Sequence, residues 1–101
     1  MPDVAVIGAA GFGGALCAGI VQRHPSLELT AVTARSHAGR RHDDLYPIHR
    51  VGLTMADFDA DSIAEAAEAA LVAYPHKAAA VAVSALRARG VKVVDLSLIH
   101  I

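Results

Sequence analysis

The sequence predicts a doubly wound, parallel α/β sheet, and three observations carry that prediction. The apolar run Val4–Ile7 ends at Gly8, the pattern of a short strand buried on both faces. Strand-like and helix-like segments then alternate along the chain, an order that requires right-handed crossovers between parallel strands. Hydrophobic residues make up 54% of the chain and aromatic residues only 4%, so small side chains dominate and let helices lie close on a sheet. With 101 residues there is room for one small domain and no more.

Val4–Ile7 is expected at the centre of the sheet. From Phe12 to His24, the apolar residues Leu16, Ile20 and Val21 recur at helical spacing. Pro25 closes that helix, because proline lacks an amide donor and clashes with the preceding turn. Leu27–Thr33 alternates in part and reads as the second strand, completing a βαβ unit. Between Ala34 and Asp59 the chain is polar and broken by Gly39, Pro47 and Gly52, which predicts a long loop with at most a short edge strand at Val51–Thr54. Ser62 and Glu65 have the spacing of a capping box and open a short helix that ends before Leu71. Ala69–Ala73 is the next strand. Pro75 opens a helix reaching Arg89, with arginines near its negative end and Gly90 as its left-handed stop. Val91–Leu96 supplies the last strand.

Composition narrows the function classes. The formal charge is −1 and the nine basic residues are scattered, so no electrostatic stripe for nucleic acid is built. No apolar run reaches the roughly 18 residues of a membrane span, and MPDVAVIGAA lacks a basic leader, which leads to the expectation of a cytoplasmic protein with no membrane partner. Cys17 has no companion thiol for a disulfide or a metal site, and it reads as a packed or half-buried residue of the first helix. His24, His37, His42, His49 and His100 show no ligand spacing, and no metal is expected.

The turn GAAGFGG is the informative motif, because it lies between a buried strand and a helix. Gly8 permits the tight turn, the middle residues Ala10, Gly11, Phe12 and Gly13 bring backbone amides toward a pyrophosphate, and Gly14 lets the helix lie against the strand. The spacing is Gly-x-x-Gly-x-x-Gly, which also occurs in plain packing turns. With strand and helix on either side, a Rossmann-like dinucleotide site is the reading taken. After the second strand there is no acidic residue to hold an NAD ribose; Thr33, Arg35 and Ser36 stand there instead. A cation flanked by hydroxyls suits the 2′-phosphate of NADP(H), while a merely solvated Arg35 is the plainer alternative.

GAAGFGG followed by HPSLELTAVTARSHAGRR resembles the N-terminal region of N-acetyl-gamma-glutamyl-phosphate reductases. Ser36, His37, Ala38, Gly39 and Pro47 fit that family's Ser-x-x-Ala-Gly stretch and the proline beyond it. AYPHKAAA at Ala73–Ala80 resembles its Leu-Pro-His-Gly segment, and GVKVVDLS at Gly90–Ser97 resembles the strand that leads into Ser-Ala-Asp-Phe-Arg. The resemblance implies an oxidoreductase of arginine biosynthesis that reduces an acyl phosphate with NADPH through a cysteine thioester, assisted by a histidine. It places both catalytic residues beyond this chain, so the fragment alone is expected to be inactive. It adds Pro75 and His76 to the cofactor loop, with capping or packing an open alternative for His76, and it makes the parent protein a homo-oligomer. The departures are Ala10 and Gly13 where hydroxyl residues are common, Tyr74 for leucine and Lys77 for glycine. At Ser97 the family pattern gives way to Leu98, Ile99, His100 and Ile101. The expectation is a partial domain over residues 1–97, truncated before the catalytic domain, with residues 98–101 a non-native tail encoded by a library adapter; a natural strand end is the alternative. Two further readings stay open: a fragment of an aspartate-semialdehyde dehydrogenase, which Ser36–Gly39 with Pro47 disfavours, and a stand-alone NADP(H)-binding module.

Overall fold

The computed structural model describes residues 2–34, 37–74 and 76–96, with side chains at 76–78 not among them. Strand β1 (Asp3–Ile7) leads into helix α1 (Phe12–Arg23) and returns as β2 (Glu28–Thr33). A connecting segment contains one short helix, α2 (His42–Leu45), and a 3-10 turn at Pro47–His49. Helix α3 (Ala60–Ala66), strand β3 (Ala69–Val72), helix α4 (His76–Arg87) and strand β4 (Lys92–Asp95) follow. The strands pair in parallel in the order β2-β1-β3-β4, which puts β1 inside the sheet as its unbroken apolar run predicts.

Alternation along β1 divides the core in two. Ala5 and Ile7 join Ala70 and Val72 beneath α3 and α4, against Ile63, Ala82 and Leu86. Val4 and Val6 face the other way, with Leu29 and Val32, against Ala18, Val21, Val51 and Met55. Helices thus cover both faces, and the expected doubly wound architecture is what the chain adopts.

Four local expectations need correction. In α1, Leu16 and Ile20 are 44% and 50% exposed, and the buried face is Gly14, Ala15, Ala18, Gly19 and Val21. Helical periodicity reveals a stripe without saying which stripe turns inward, and here close approach favours the small one. The cap of α3 is Asp59, whose carboxylate accepts from the Asp61 amide at 3.1 Å, whereas Ser62 lies inside the helix and its hydroxyl donates back to Asp59 at 3.2 Å. Val51–Thr54 forms no strand; only isolated bridges pair Arg41 with Thr54 and Thr33 with Ala56. The helix before Gly90 ends at Arg87, and Arg89 instead turns back to the Ala85 carbonyl and ion-pairs with Asp61 at 2.6 Å. Gly90 itself has φ +81, and the amides of Gly90 and Val91 close on the carbonyls of Arg87 and Leu86 as a left-handed stop requires. Arg35, Ser36, Pro75 and residues 97–101 lie outside the described residues.

Candidate functional site

The C-terminal ends of β1, β2 and β3 meet at one edge of the sheet, and the glycine turn sits there. The chain passes from β1 to β2 on one side and then crosses back to β3 on the other, so this edge is a switch point of the kind at which open α/β sheets bind ligands. Gly8 has φ +90, a conformation that side chains resist, and a Cβ on it would stand 2.9 Å from the Tyr74 ring and 3.2 Å from the Ala73 carbonyl carbon. A Cβ on Gly14 would collide with the Gly8 carbonyl group, whose carbon lies 2.8 Å away. These two glycines let the first turn of α1 sit directly on the end of β1. Gly11 has only ordinary contact room, and Gly13 faces open space. The tip of the turn is correspondingly exposed, with Phe12 83% accessible.

Several backbone bonds fix the turn from below. The amides of Gly8 and Ala9 both donate to the Thr33 carbonyl, at 3.1 and 2.8 Å, and that of Gly11 donates to the Gly8 carbonyl at 3.3 Å. The Thr33 side chain is 1% exposed. Its hydroxyl lies 3.3 Å from both the Gly8 amide and the Tyr74 hydroxyl, a pair that is itself buried. Thr33 therefore supports the turn from within the core, rather than standing open beside Arg35 as the sequence suggested. Helix α1 begins at Gly11 with no side-chain cap and no acidic residue in its first turn. Its opening amides, which no helix can satisfy internally, point out from the positive end of the helix dipole.

A second layer closes over the turn, and sequence reasoning missed it. His42, at the start of α2, has no exposed surface, and its Nε2 lies 2.9 Å from the Ala9 carbonyl. Since a carbonyl only accepts, that nitrogen carries the proton. Burial lowers the pKa of His42, with the nearby His49 adding to the effect, against the Ala9 hydrogen bond and Asp43, which raise it. The Tyr46 hydroxyl donates to the next carbonyl, Ala10, at 2.8 Å. The His42 and Tyr46 rings stack with centroids 5.4 Å apart, and His49 flanks Tyr46 at 6.0 Å. The His49 ring occupies the space where a side chain on Gly19 would lie, with its Nδ1 2.6 Å from such a Cβ. Nothing in the local sequence marks His42, because its meaning depends on a contact 33 residues away.

Cys17 is half-buried in α1, and burial raises its thiol pKa, the opposite of the activation a nucleophile needs. Among the described residues no group of three His, Cys, Asp or Glu could hold a metal ion, and no helix is long and apolar enough to cross a membrane. His76 opens α4 at the same sheet edge.

Comparison with known proteins gives the family and the fold. The family model for the NAD-binding domain of semialdehyde dehydrogenase matches residues 3–99. The chain is 41% identical to an N-acetyl-gamma-glutamyl-phosphate reductase of Synechocystis sp. over 93% of its own length and 27% of the relative's. It is 38% identical to the enzyme of that name from Moorella thermoacetica, over 95% of this chain and 28% of that one. The resemblance read from the three motifs is thus borne out, and the chain spans a little over a quarter of the length of these relatives. Among solved structures, aspartate semialdehyde dehydrogenase with NADP from Candida albicans superposes with a TM-score of 0.82 at 18% identity, covering 94% of this chain and 29% of that one, a likeness of fold.

Proposed function

The chain belongs to the semialdehyde dehydrogenase NAD-binding domain family, and we propose that it is the NADP(H)-binding part of an N-acetyl-gamma-glutamyl-phosphate reductase. The observation that carries the reading is the cradle formed by Gly8 and Gly14. A Cβ at Gly14 would fill it, and with hydrogen there the uncapped start of α1 reaches the open strand ends. The residues present fit a dinucleotide: the opening amides of α1 bind the pyrophosphate, with Gly11, Phe12 and Gly13 forming the rim. Ala10 and Gly13 bring no hydroxyl, so binding rests on backbone amides and the helix dipole.

Arg35 and Ser36 follow β2 and supply the charge-assisted bonds that hold a 2′-phosphate. Thr33 acts through the turn it supports. His76 opens α4 at the same edge after β3, and Pro75, which precedes it in the sequence, is assigned to the same cofactor loop by the family resemblance. When bound, NADPH supplies the hydride for reduction of the acyl phosphate to a semialdehyde. Cys17 is no candidate for the thiol such chemistry uses, so this chain binds and orients the cofactor and performs no reduction itself. The 2′-phosphate reading is supported by the absence of an acidic residue between Thr33 and His42.

Titration with NADPH and NADH tests the cofactor choice. Tighter NADPH binding is expected, and Arg35→Ala should weaken NADPH alone by about tenfold or more, the worth of a charge-assisted hydrogen bond. Equal affinities would remove the preference. For the parent reaction, the complete reading frame should reduce N-acetyl-gamma-glutamyl phosphate with NADPH; turnover of aspartyl phosphate instead would reassign the substrate.

A further inference from the structure

We propose that His42 and Tyr46 are positioning residues for phosphate binding, which hold two successive carbonyls of the glycine turn away from the ligand and so keep the Ala10 N–H directed at it. The inference rests on the dinucleotide reading above and concerns the same turn. In a trans peptide the C=O and the following N–H point in opposite directions. The bond from His42 Nε2 to the Ala9 carbonyl at 2.9 Å therefore fixes the Ala10 N–H on the far side. The bond from the Tyr46 hydroxyl to the Ala10 carbonyl at 2.8 Å holds the carbonyl of the next peptide away from the ligand, while that peptide's own N–H, of Gly11, is taken by the Gly8 carbonyl.

This matters because the turn has few amides to give. Those of Gly8 and Ala9 are used on Thr33 and that of Gly11 on Gly8, which leaves the Ala10 N–H and the opening amides of α1 for an anion. Gly11 makes rotation of the Ala10–Gly11 peptide easy. A rotated peptide would point a carbonyl, with its partial negative charge, at the phosphate. Two side chains from one segment, bonded to two successive carbonyls, oppose that rotation.

Packing alone does not account for the choice of residue. His42 has no exposed surface, and its Nδ1 is buried with no partner among the described residues. That desolvation is a cost a leucine of similar volume would avoid. The compensating contact is the one to Ala9.

The test uses the whole chain, with NADP+ and with adenosine 2′-monophosphate, which carries the adenosine end of the ligand but no pyrophosphate. His42→Leu should weaken NADP+ binding about tenfold and Tyr46→Phe about fivefold, each reflecting one hydrogen bond, with the affinity for adenosine 2′-monophosphate unchanged. His42→Gln, which keeps an N–H near the Nε2 position, should bring NADP+ binding back to within about twofold of wild type, less than the contribution of one such bond. If His42→Leu does not fold, Tyr46→Phe, which keeps the ring, decides the matter. Equal losses for both ligands would make the two residues general supports and overturn the proposal. So would variants that bind NADP+ like the wild type, a result that leaves the dinucleotide reading intact. A folded wild type that binds neither ligand would overturn that reading and the inference with it.

Discussion

The glycine turn and the segment folded over it, residues 37–55, meet at two carbonyls and are built on opposite principles. In the turn the backbone makes the demands: Gly8 needs a positive φ and Gly14 has no room for a Cβ. In the overlying segment the side chains make them, because His42 and Tyr46 gain their roles only when tertiary folding brings them onto Ala9 and Ala10. Geometric exclusion leaves a mark in the sequence as glycine. A buried polar contact across 33 residues leaves none.

The contrast is sharpest at Gly14. Gly14→Ala should destabilise the fold by about 3 kcal/mol or more, at the upper end of overpacking effects, since the obstruction is backbone that cannot rotate aside. Thermal or urea unfolding followed by circular dichroism measures it. A near-neutral result would mean that α1 can shift away from β1, and the argument from close approach would fail.

The overlying segment predicts a pH dependence instead. His42 has a lowered pKa in the folded protein, so its neutral form is the one the fold holds. As pH falls through about 6.5, the value of an unperturbed histidine, the unfolded chain takes up a proton that folded His42 refuses, and stability declines toward the folded pKa. Above that range the contribution is fully present. Asp43, lowered by Arg41, acts in the same direction only at far lower pH, where carboxylates protonate. His42→Gln should flatten the decline that begins below about pH 6.5, the value of an ordinary histidine, in urea titrations; an unchanged slope would show that His42 titrates without cost.

Smaller effects separate support from tip. Thr33→Val removes the hydroxyl shared by the Gly8 amide and Tyr74 and should cost about 1 kcal/mol, one buried hydrogen bond, because the Thr33 carbonyl still holds the turn. Gly13→Ala should leave stability unchanged or raise it by up to about 1 kcal/mol, the helix preference of alanine over glycine, since nothing stands near that position. A loss at Gly13 as large as that at Gly14 would erase the distinction between frame and rim.

The sheet was legible because its signals are redundant: an apolar run ending in glycine, a proline after α1 and a glycine after α4 each mark a boundary that backbone chemistry enforces. Which face of α1 turns inward is not legible, since Leu16 and Ile20 share the spacing of a core stripe with Val21, yet of these three only Val21 is buried, beside the small Gly14, Ala15 and Ala18. Ser62 has the spacing of a cap, but Asp59, three residues earlier, is equally suited to the helix start and takes it. For the site, the glycines are readable in the sequence, the Thr33 hydroxyl is readable but not its burial, and His42 and Tyr46 carry no signal inside a polar stretch.

Backbone amide shifts on adding NADP+ test the central claim most directly. The account predicts that the largest changes in the 15N–1H spectrum cluster at Ala10–Gly14, with smaller ones just after β2. Saturable binding with shifts confined elsewhere, or a folded chain whose spectrum does not respond, would contradict it.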